Sequence, residues 1–430
     1  MKKKIIFMAF VVSMTSSALA QESVITLRGK VVDKMSKAPI EYANLRIENT
    51  SLGVISNTQG EFEFHIPEEY AKDTLNISMM GYATHKVTVQ QAQPNATILL
   101  EQKSILLTEI IIQDKMLSAD EIINQAVKNI TINYSKQPYQ MEGFFRQIQK
   151  VDNNYVSVLE AAVEVLDPGY GSKKPLGIGI TEIRRSDYLK AKPYYNIADT
   201  FYTQKHNALT STLGFNHIRE LASLKVLPTT FFTERYTYKF DSIDVYDNKA
   251  VYIISAVQRN NKGYLKDPLK EERINTIIID AETFGILQVK FEYHPKDNYT
   301  PKDFRNVTQT NDSILSIVNG HTHVYEFNSY KGLLYLKYIR WSDWVEDYNV
   351  NLKKVSHINE YRHELLINHV ITDPSEFAEI SKPVNPEISL YKQARDYNAT
   401  FWKNYNMIYE SKEERELIQN LMKQISNEKN

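Results

Sequence analysis

The chain has 430 residues and a formal net charge of −1, and 42% of its residues are hydrophobic, enough for two modest cores. This balance of charge indicates no basic surface, so neither nucleic acid nor anionic lipid is an expected partner. The 28 tyrosines and 17 phenylalanines favour a β-rich fold, because aromatic rings pack well on pleated sheets.

The first twenty residues have the pattern of a secretory signal. Lys2 to Lys4 form a positive segment, Ile5 to Val12 an apolar run, and Ala18 to Ala20 a cleavage site. We therefore expect residues 1–20 to be removed and the protein to lie in the periplasm or on the periplasmic or outer face of the outer membrane. No later run is long enough to cross a bilayer as a helix, and the absence of cysteine excludes a thiol-linked lipid anchor.

Residues 21–102 consist of short segments that alternate apolar and polar residues between turns. Glu61 to Ile66 is the clearest segment, since Phe62, Phe64 and Ile66 fall on one face. About seven such segments predict an antiparallel β-sandwich.

The turns and core positions of this region carry a distinctive set of residues: Gly29, Asp33, Pro39, Ile40, Ala43, Gly60, Phe62, Gly81 and Tyr82. This set resembles the carboxypeptidase regulatory-like domain of transthyretin-like fold, over roughly Ser23 to Gln102. The resemblance implies a non-catalytic attachment. In overall order the chain resembles exported Bacteroidetes-type proteins that carry this domain ahead of an uncharacterised β-rich region.

Residues 103–135 are predicted to form a linker strand followed by a helix. Ser118 is followed three residues later by Glu121, which is the pattern of a capping box. Apolar residues then recur at helical spacing as far as Ile130.

Residues 136–372 change to a two-residue period and predict a large curved antiparallel sheet. The predicted strands are Phe144–Val151, Tyr155–Leu166, Tyr236–Ile243, Ala250–Val257, Arg273–Ile279, Gly285–Tyr293, Ser313–Tyr325 and Leu333–Trp344. A helical stretch, Asn207 to Leu224, is expected to lie against the sheet.

The turn Asp280 to Ile286 resembles one that recurs in the half-barrel of periplasmic lipoprotein carriers. The resemblance implies a concave apolar face able to hold a lipid or another apolar ligand. The alternative is that the helix and aromatic side chains fill that face. Residues 373–430 are predicted to be a proline-rich linker and a C-terminal helix over Glu410 to Gln424. Core or contact positions are expected for Phe62, Phe64, Tyr82, Trp341 and Trp344.

A zinc site is the one catalytic possibility that the sequence offers. His217 and Glu220 form an H-x-x-E segment similar to that of zinc carboxypeptidases, and His321 lies far downstream as a third ligand. Against this possibility, the surrounding residues predict strands and not the helices of that family's catalytic domain. The pair His321 and His323 also suits a metal, although Glu326 is the one carboxylate at ligand spacing.

The sequence therefore favours a non-catalytic binding protein of the periplasm or outer membrane, with no cofactor, whose partner is an outer-membrane protein, a carbohydrate or a lipid. A carrier of an apolar ligand and a zinc-dependent hydrolase are the two alternatives.

Overall fold

The computed structural model describes residues 23–103, 117–172, 174–185, 236–258, 272–294, 307–311, 313–380, 382–393, 398–412, 414–416 and 419. These residues form a mainly β structure with an N-terminal sandwich, a large antiparallel sheet and few helices, which confirms the predicted fold class.

The sandwich contains seven strands in two sheets. One sheet has the order β4-β1-β7 and the other has the order β3-β2-β5-β6. Strands β1 and β7 pair in parallel, whereas the sequence predicted an antiparallel arrangement throughout. The strands are β1 Val24–Asp33, β2 Asn44–Ile47, β3 Gly53–Ile55, β4 Glu61–Pro67, β5 Thr74–Ser78, β6 His85–Thr88 and β7 Ala96–Leu100.

The sandwich core follows from the alternation in β4. Phe62, Phe64 and Ile66 are at most 3% exposed and pack with the buried side chains of the facing sheet. Gly60 opens this strand with a φ of +74°, and a Cβ atom there would lie 2.4 Å from the Val31 carbonyl oxygen. Glycine alone combines an easy positive φ with the absence of a Cβ atom, so Gly60 determines the shape of this turn.

The predicted helix forms as α1, Ala119–Asn133. The Ser118 hydroxyl accepts a hydrogen bond from the Glu121 amide (3.3 Å), and the Glu121 carboxylate accepts one from the Ser118 amide (2.8 Å). This reciprocal pair confirms the capping box.

Eleven strands form the large sheet, in the order β10-β9-β8-β18-β17-β16-β14-β13-β12-β11, with β15 paired to β16. They are β8 Tyr139–Val151, β9 Asn154–Asp167, β10 Gly177–Arg185, β11 Tyr236–Tyr246, β12 Lys249–Gln258, β13 Glu272–Asp280, β14 Ile286–His294, β15 Val307–Asn311, β16 Ile314–Tyr330, β17 Leu333–Asn349 and β18 Lys354–Ile371.

The long strand β18 joins the two halves of this sheet. It pairs with β17 through a hairpin and with β8, more than two hundred positions earlier, through register pairs such as Leu365 with Phe145. Most of the predicted strands pair with their neighbours in sequence, but β8 to β10 lie beside the last strand and not beside β11.

The two faces of the large sheet have different coverings. On one face, Phe145, Ile339 and Leu365 belong to a core that includes α1. On the other face, Phe144 and Tyr338 belong to the core of the sandwich. The sheet is thus a central layer between the helix and the sandwich. No helix in the described part of the chain is both long and apolar enough to cross a membrane.

The segment after β18 holds the layers together. It contains α2, Ala399–Lys403, and continues across the sandwich side of the sheet. The Asn406 side chain accepts the His65 amide (2.8 Å) and donates to the His65 carbonyl (2.9 Å), while the Asn406 carbonyl accepts from Asn368 of β18 (2.6 Å). Asn406 therefore links the sandwich to the sheet. The predicted C-terminal helix, Glu410 to Gln424, lies largely outside the described residues.

Candidate binding cleft between the sandwich and the large sheet

A cleft of about 590 Å³ lies where the sandwich meets one end of the large sheet. Its sandwich wall comes from β2, β5 and β6, and its opposite wall comes from the β11–β12, β13–β14 and β16–β17 turns. Pockets of 300 to 1,000 Å³ are the usual size for small ligands. We call this region the interdomain cleft.

Two tight turns fix the sheet side of the interdomain cleft. In the β11–β12 turn, Asp247 and Asn248 have φ values of +49° and +59°, and in the β16–β17 turn, Lys331 and Gly332 have +49° and +78°. Consecutive positive φ values match the right-handed twist of a hairpin, and Asn, Asp and Gly tolerate them best. These turns therefore present their polar groups in fixed positions.

Arg46 of β2 connects the two walls. Its Nη1 donates to the Ser329 carbonyl (2.6 Å), and its Nη2 pairs with Asp247 (3.2 Å). Asp247 also accepts from the Thr84 hydroxyl (3.4 Å) of the sandwich. The side chain of Arg46 is 15% exposed, so this bridge is largely removed from water.

Two polar atoms at the cleft are buried without a hydrogen-bond partner among the described residues. They are Nε of Arg46, a donor, and Oδ1 of Asn76, an acceptor. Both residues line the cleft. An unmade hydrogen bond on a buried group costs about 1 to 3 kcal/mol, and protein atoms shield both of these atoms from the cleft.

The charged groups of the cleft are mostly paired with one another. Lys86 contacts Glu48 at 2.5 Å, and Arg46 contacts Asp247. Burial raises the pKa of Tyr246, so its hydroxyl stays protonated and donates to Asn328 (3.4 Å). The rest of the lining is rich in amides and hydroxyls: Asn49, Thr50, Asn76, Asn133, Asn248, Thr283, Asn328 and Ser329.

A buried ion cluster fixes the C-terminal segment to the large sheet. Arg146 of β8 pairs with Glu160 of β9 at 2.7 Å, and both side chains are at most 2% exposed. Arg146 also donates to the Ile408 carbonyl (2.7 Å) and approaches Glu414 at 3.6 Å.

Glu414 and Glu410 complete this ion cluster from the C-terminal segment. Burial opposes the ionisation of Glu414, but Arg146 and Arg362 outweigh it and lower the pKa of its carboxyl group. Burial and the neighbouring Glu160 raise the pKa of Glu410, although Arg184 contacts it at 2.6 Å. The cluster acts as a structural joint, because its ion pairs tie the C-terminal segment to the strands of the large sheet.

The predicted zinc site falls only in part on the described residues. His217 and Glu220 lie outside the described residues. His321 lies on β16, where its ring stacks on His323 at 4.6 Å. No group of three metal-binding side chains occurs in the described ranges.

The one carboxylate at ligand spacing from the histidine pair lies on the opposite face of the strand. Strand alternation places Glu326 on the opposite side of β16 from His323, and Glu326 pairs with Lys337 at 3.0 Å. The carboxylate that does reach His323 is Asp343 of β17, at 3.1 Å. The ring of His323 also stacks on Trp341 at 4.3 Å.

The aromatic residues expected in the core or at contacts divide into two groups. Phe62 and Phe64 are buried, as predicted. Tyr82, Trp341 and Trp344 are half-buried, and the first two make defined contacts. The Tyr82 hydroxyl donates to Asp33 (3.1 Å), and Trp341 Nε1 donates to the Tyr325 hydroxyl (2.7 Å).

Sequence reasoning missed the residues of the interdomain cleft. Nothing in the sequence showed that Arg46 of β2 meets the turn at Asp247, because the two residues are 201 positions apart. The stacking of Tyr42 on Tyr338 at 5.7 Å is a second contact between the sandwich and the large sheet.

The family comparison agrees with the N-terminal resemblance. Residues 27–112 match the model of the CarboxypepD_reg-like domain. This domain accounts for about a fifth of the chain and supports a sandwich without a catalytic role. No protein in the curated set matches the chain.

Similar solved structures share little sequence with this chain. A lipovitellin structure, described by its lipid–protein interactions, is 8% identical with a TM-score of 0.23, and the match covers 65% of this chain and 29% of that one. A MucA/MucB complex from Pseudomonas aeruginosa is 8% identical with a TM-score of 0.17, covering 63% of this chain and 99% of that one. Such low scores establish no shared function.

Proposed function

We propose that this protein is a non-catalytic binding protein that holds an uncharged, hydroxyl-rich ligand, a carbohydrate, in the interdomain cleft. The observation that carries the proposal is the lining of amide and hydroxyl side chains in a cleft of about 590 Å³. A sugar hydroxyl both donates and accepts, so one class of ligand can pair with amides and hydroxyls alike.

Two of the four cationic side chains that line the cleft are held in ion pairs, and these pairs disfavour an anion beside them. Because Arg46 and Lys86 already contact Asp247 and Glu48, an anion would compete with existing ion pairs. An apolar ligand would leave the amides of the lining without partners, which costs free energy. Half-buried Tyr330 adds an aromatic ring to the same wall.

The alternative of an apolar cargo has less support from the described residues. On the face of the sheet that would hold it, Ile277, Val289 and Ile339 are already buried in one core with Ile122 and Ile130 of α1. The helix on this face is α1, whereas the helical stretch predicted to cover the sheet, Asn207 to Leu224, lies outside the described residues.

The proposal includes export to the periplasm or the outer membrane. It is supported by the charged and apolar segments of residues 1–20. N-terminal sequencing of the protein purified from its native cells tests this part, and a mature chain starting at Gln21 is the expected result.

Binding measurements on a panel of oligosaccharides test the ligand. The oligosaccharide that binds most tightly by calorimetry should lose roughly tenfold or more in affinity with Asn76→Ala, since the variant removes an amide from the cleft lining. Asn351→Ala, at the far end of the sheet, is the matched control and should bind normally. If no oligosaccharide binds, or if both variants bind like the wild type, the proposal is wrong.

Metal and lipid analysis of the same sample tests the two alternatives. Stoichiometric zinc that is lost with His217→Ala would support a hydrolase. Co-purifying lipid in native mass spectrometry would support an apolar cargo. The proposed function predicts neither.

A further inference from the structure

The end of the large sheet opposite the interdomain cleft carries a concentration of exposed apolar side chains. Val350, Leu352, Val355 and Ile358 are 41%, 62%, 37% and 48% exposed. They are four of the eight large apolar residues that are exposed in the described part of the chain, although they lie within nine positions. Exposed apolar side chains that cluster in this way mark interaction sites more often than chance.

These residues belong to the β17–β18 turn and the start of β18, which we call the apolar tip, residues 350–358. The tip is held in one conformation by hydrogen bonds. The Val350 amide donates to the Ser313 carbonyl (2.9 Å), and the Leu352 amide donates to the Asn349 side chain (2.9 Å). Because the backbone of this turn is already fixed, binding through Leu352 orders no further backbone and avoids that loss of conformational entropy.

The exposed charge within residues 350–358 is positive, because Lys353 and Lys354 follow Leu352 directly and are both exposed. Of the acidic side chains across from the tip, Glu346 and Asp347 of β17 are buried, and Asp152 of the β8–β9 turn contacts His357 at 2.8 Å. The net charge of −1 gave no sign of this local arrangement.

We propose that the apolar tip docks the protein on an anionic phospholipid surface. Aliphatic side chains beside lysines suit a bilayer, where the former enter the headgroup boundary and the latter meet phosphate groups. Protein interfaces instead favour aromatic residues and arginine and disfavour lysine, and residues 349–356 contain neither an aromatic residue nor an arginine.

The length of the strands determines how far the interdomain cleft would lie from the membrane surface. Strand β17 has 17 residues and runs from the turn that lines the interdomain cleft to the apolar tip. At about 3.3 Å per residue, a strand of 17 residues is roughly 56 Å long, and this length sets the distance of the cleft from the membrane surface when the strand stands upright on it. The inference does not depend on which ligand the cleft holds.

Vesicle flotation of the purified protein tests the proposal. The wild type should float with phosphatidylglycerol vesicles, should not float with phosphatidylcholine vesicles, and should release at high salt. Paired changes Val350→Ser and Leu352→Ser should lower the partition coefficient at least tenfold. The double change Lys353→Asn and Lys354→Gln should lower the partition coefficient about thirtyfold. Asparagine is chosen at position 353 because it tolerates the φ of +53° there.

Two further variants keep the test specific to the tip. Ile132→Ser removes an aliphatic side chain that is 66% exposed on α1, and it should float like the wild type. Leu352→Trp should show a blue shift of fluorescence when phosphatidylglycerol vesicles are added. Every variant carries the same N-terminus, so any retained leader affects all of them equally.

Three results would overturn the proposal. The first is a wild type that fails to float with phosphatidylglycerol, and the second is equal flotation of the tip variants and Ile132→Ser. The third is self-association in sedimentation that Leu352→Ser abolishes while vesicles have no effect, because the tip would then bind a second copy of the chain.

Discussion

Replacing Arg146 by methionine should destabilise the protein by about 3 kcal/mol, because the change leaves buried acceptors without their donor. Glu160, Glu414 and the Ile408 carbonyl all lose a contact with the guanidinium group. Breaking a buried ion pair costs about 3 to 5 kcal/mol, and the lower value applies here because Arg184 also contacts Glu160, at 2.5 Å.

Urea unfolding followed by far-ultraviolet circular dichroism measures this loss, provided that unfolding is a single transition. Arg28→Met is the matched control, since Arg28 also pairs with a glutamate, Glu63, but its side chain is 55% exposed. The control should cost less than about 1 kcal/mol. Equal losses in the two variants would refute the idea that the buried cluster is a structural joint.

Three further changes should have separate effects. Burial lowers the pKa of His363 to about 4, so the unfolded chain binds a proton more readily than the folded protein. The free energy of unfolding should therefore fall between pH 6.5 and pH 4. In urea titrations, His363→Gln should show a flatter dependence of this free energy on pH. Asn406→Ala should cost about 2 kcal/mol, measured in the same way, and should speed amide exchange in the C-terminal segment, because it leaves both backbone groups of His65 unpaired. Ser118→Ala should cost about 1 kcal/mol by thermal unfolding through loss of the α1 cap, whereas Ser118→Asp should retain most of the stability.

Local sequence patterns predicted much of this structure. Alternation predicted the sandwich strands and most strands of the large sheet, because each has one face in a core. The capping box of α1 was visible because Ser118 and Glu121 lie three residues apart. In each case the partners are close in sequence.

The parts that could not be predicted depend on distant partners. The pairing of β18 with β8 joins residues such as Leu365 and Phe145, and many other strands had the same apolar character. The bulge between Ile367 and His369 also reverses the faces beyond it, so His363 and His369 lie on opposite sides of β18 although they are six positions apart. The cleft was hidden for the same reason, since Arg46 and Asp247 lie on different domains.

Amide hydrogen exchange, measured by mass spectrometry with and without the bound oligosaccharide, tests the interdomain cleft most directly. The account predicts slower exchange in β2 and β5 of the sandwich and in the turns at 246–249 and 328–332, with no change at the apolar tip. Slower exchange confined to the α1 side of the sheet, around Phe291 and Trp341, would contradict it.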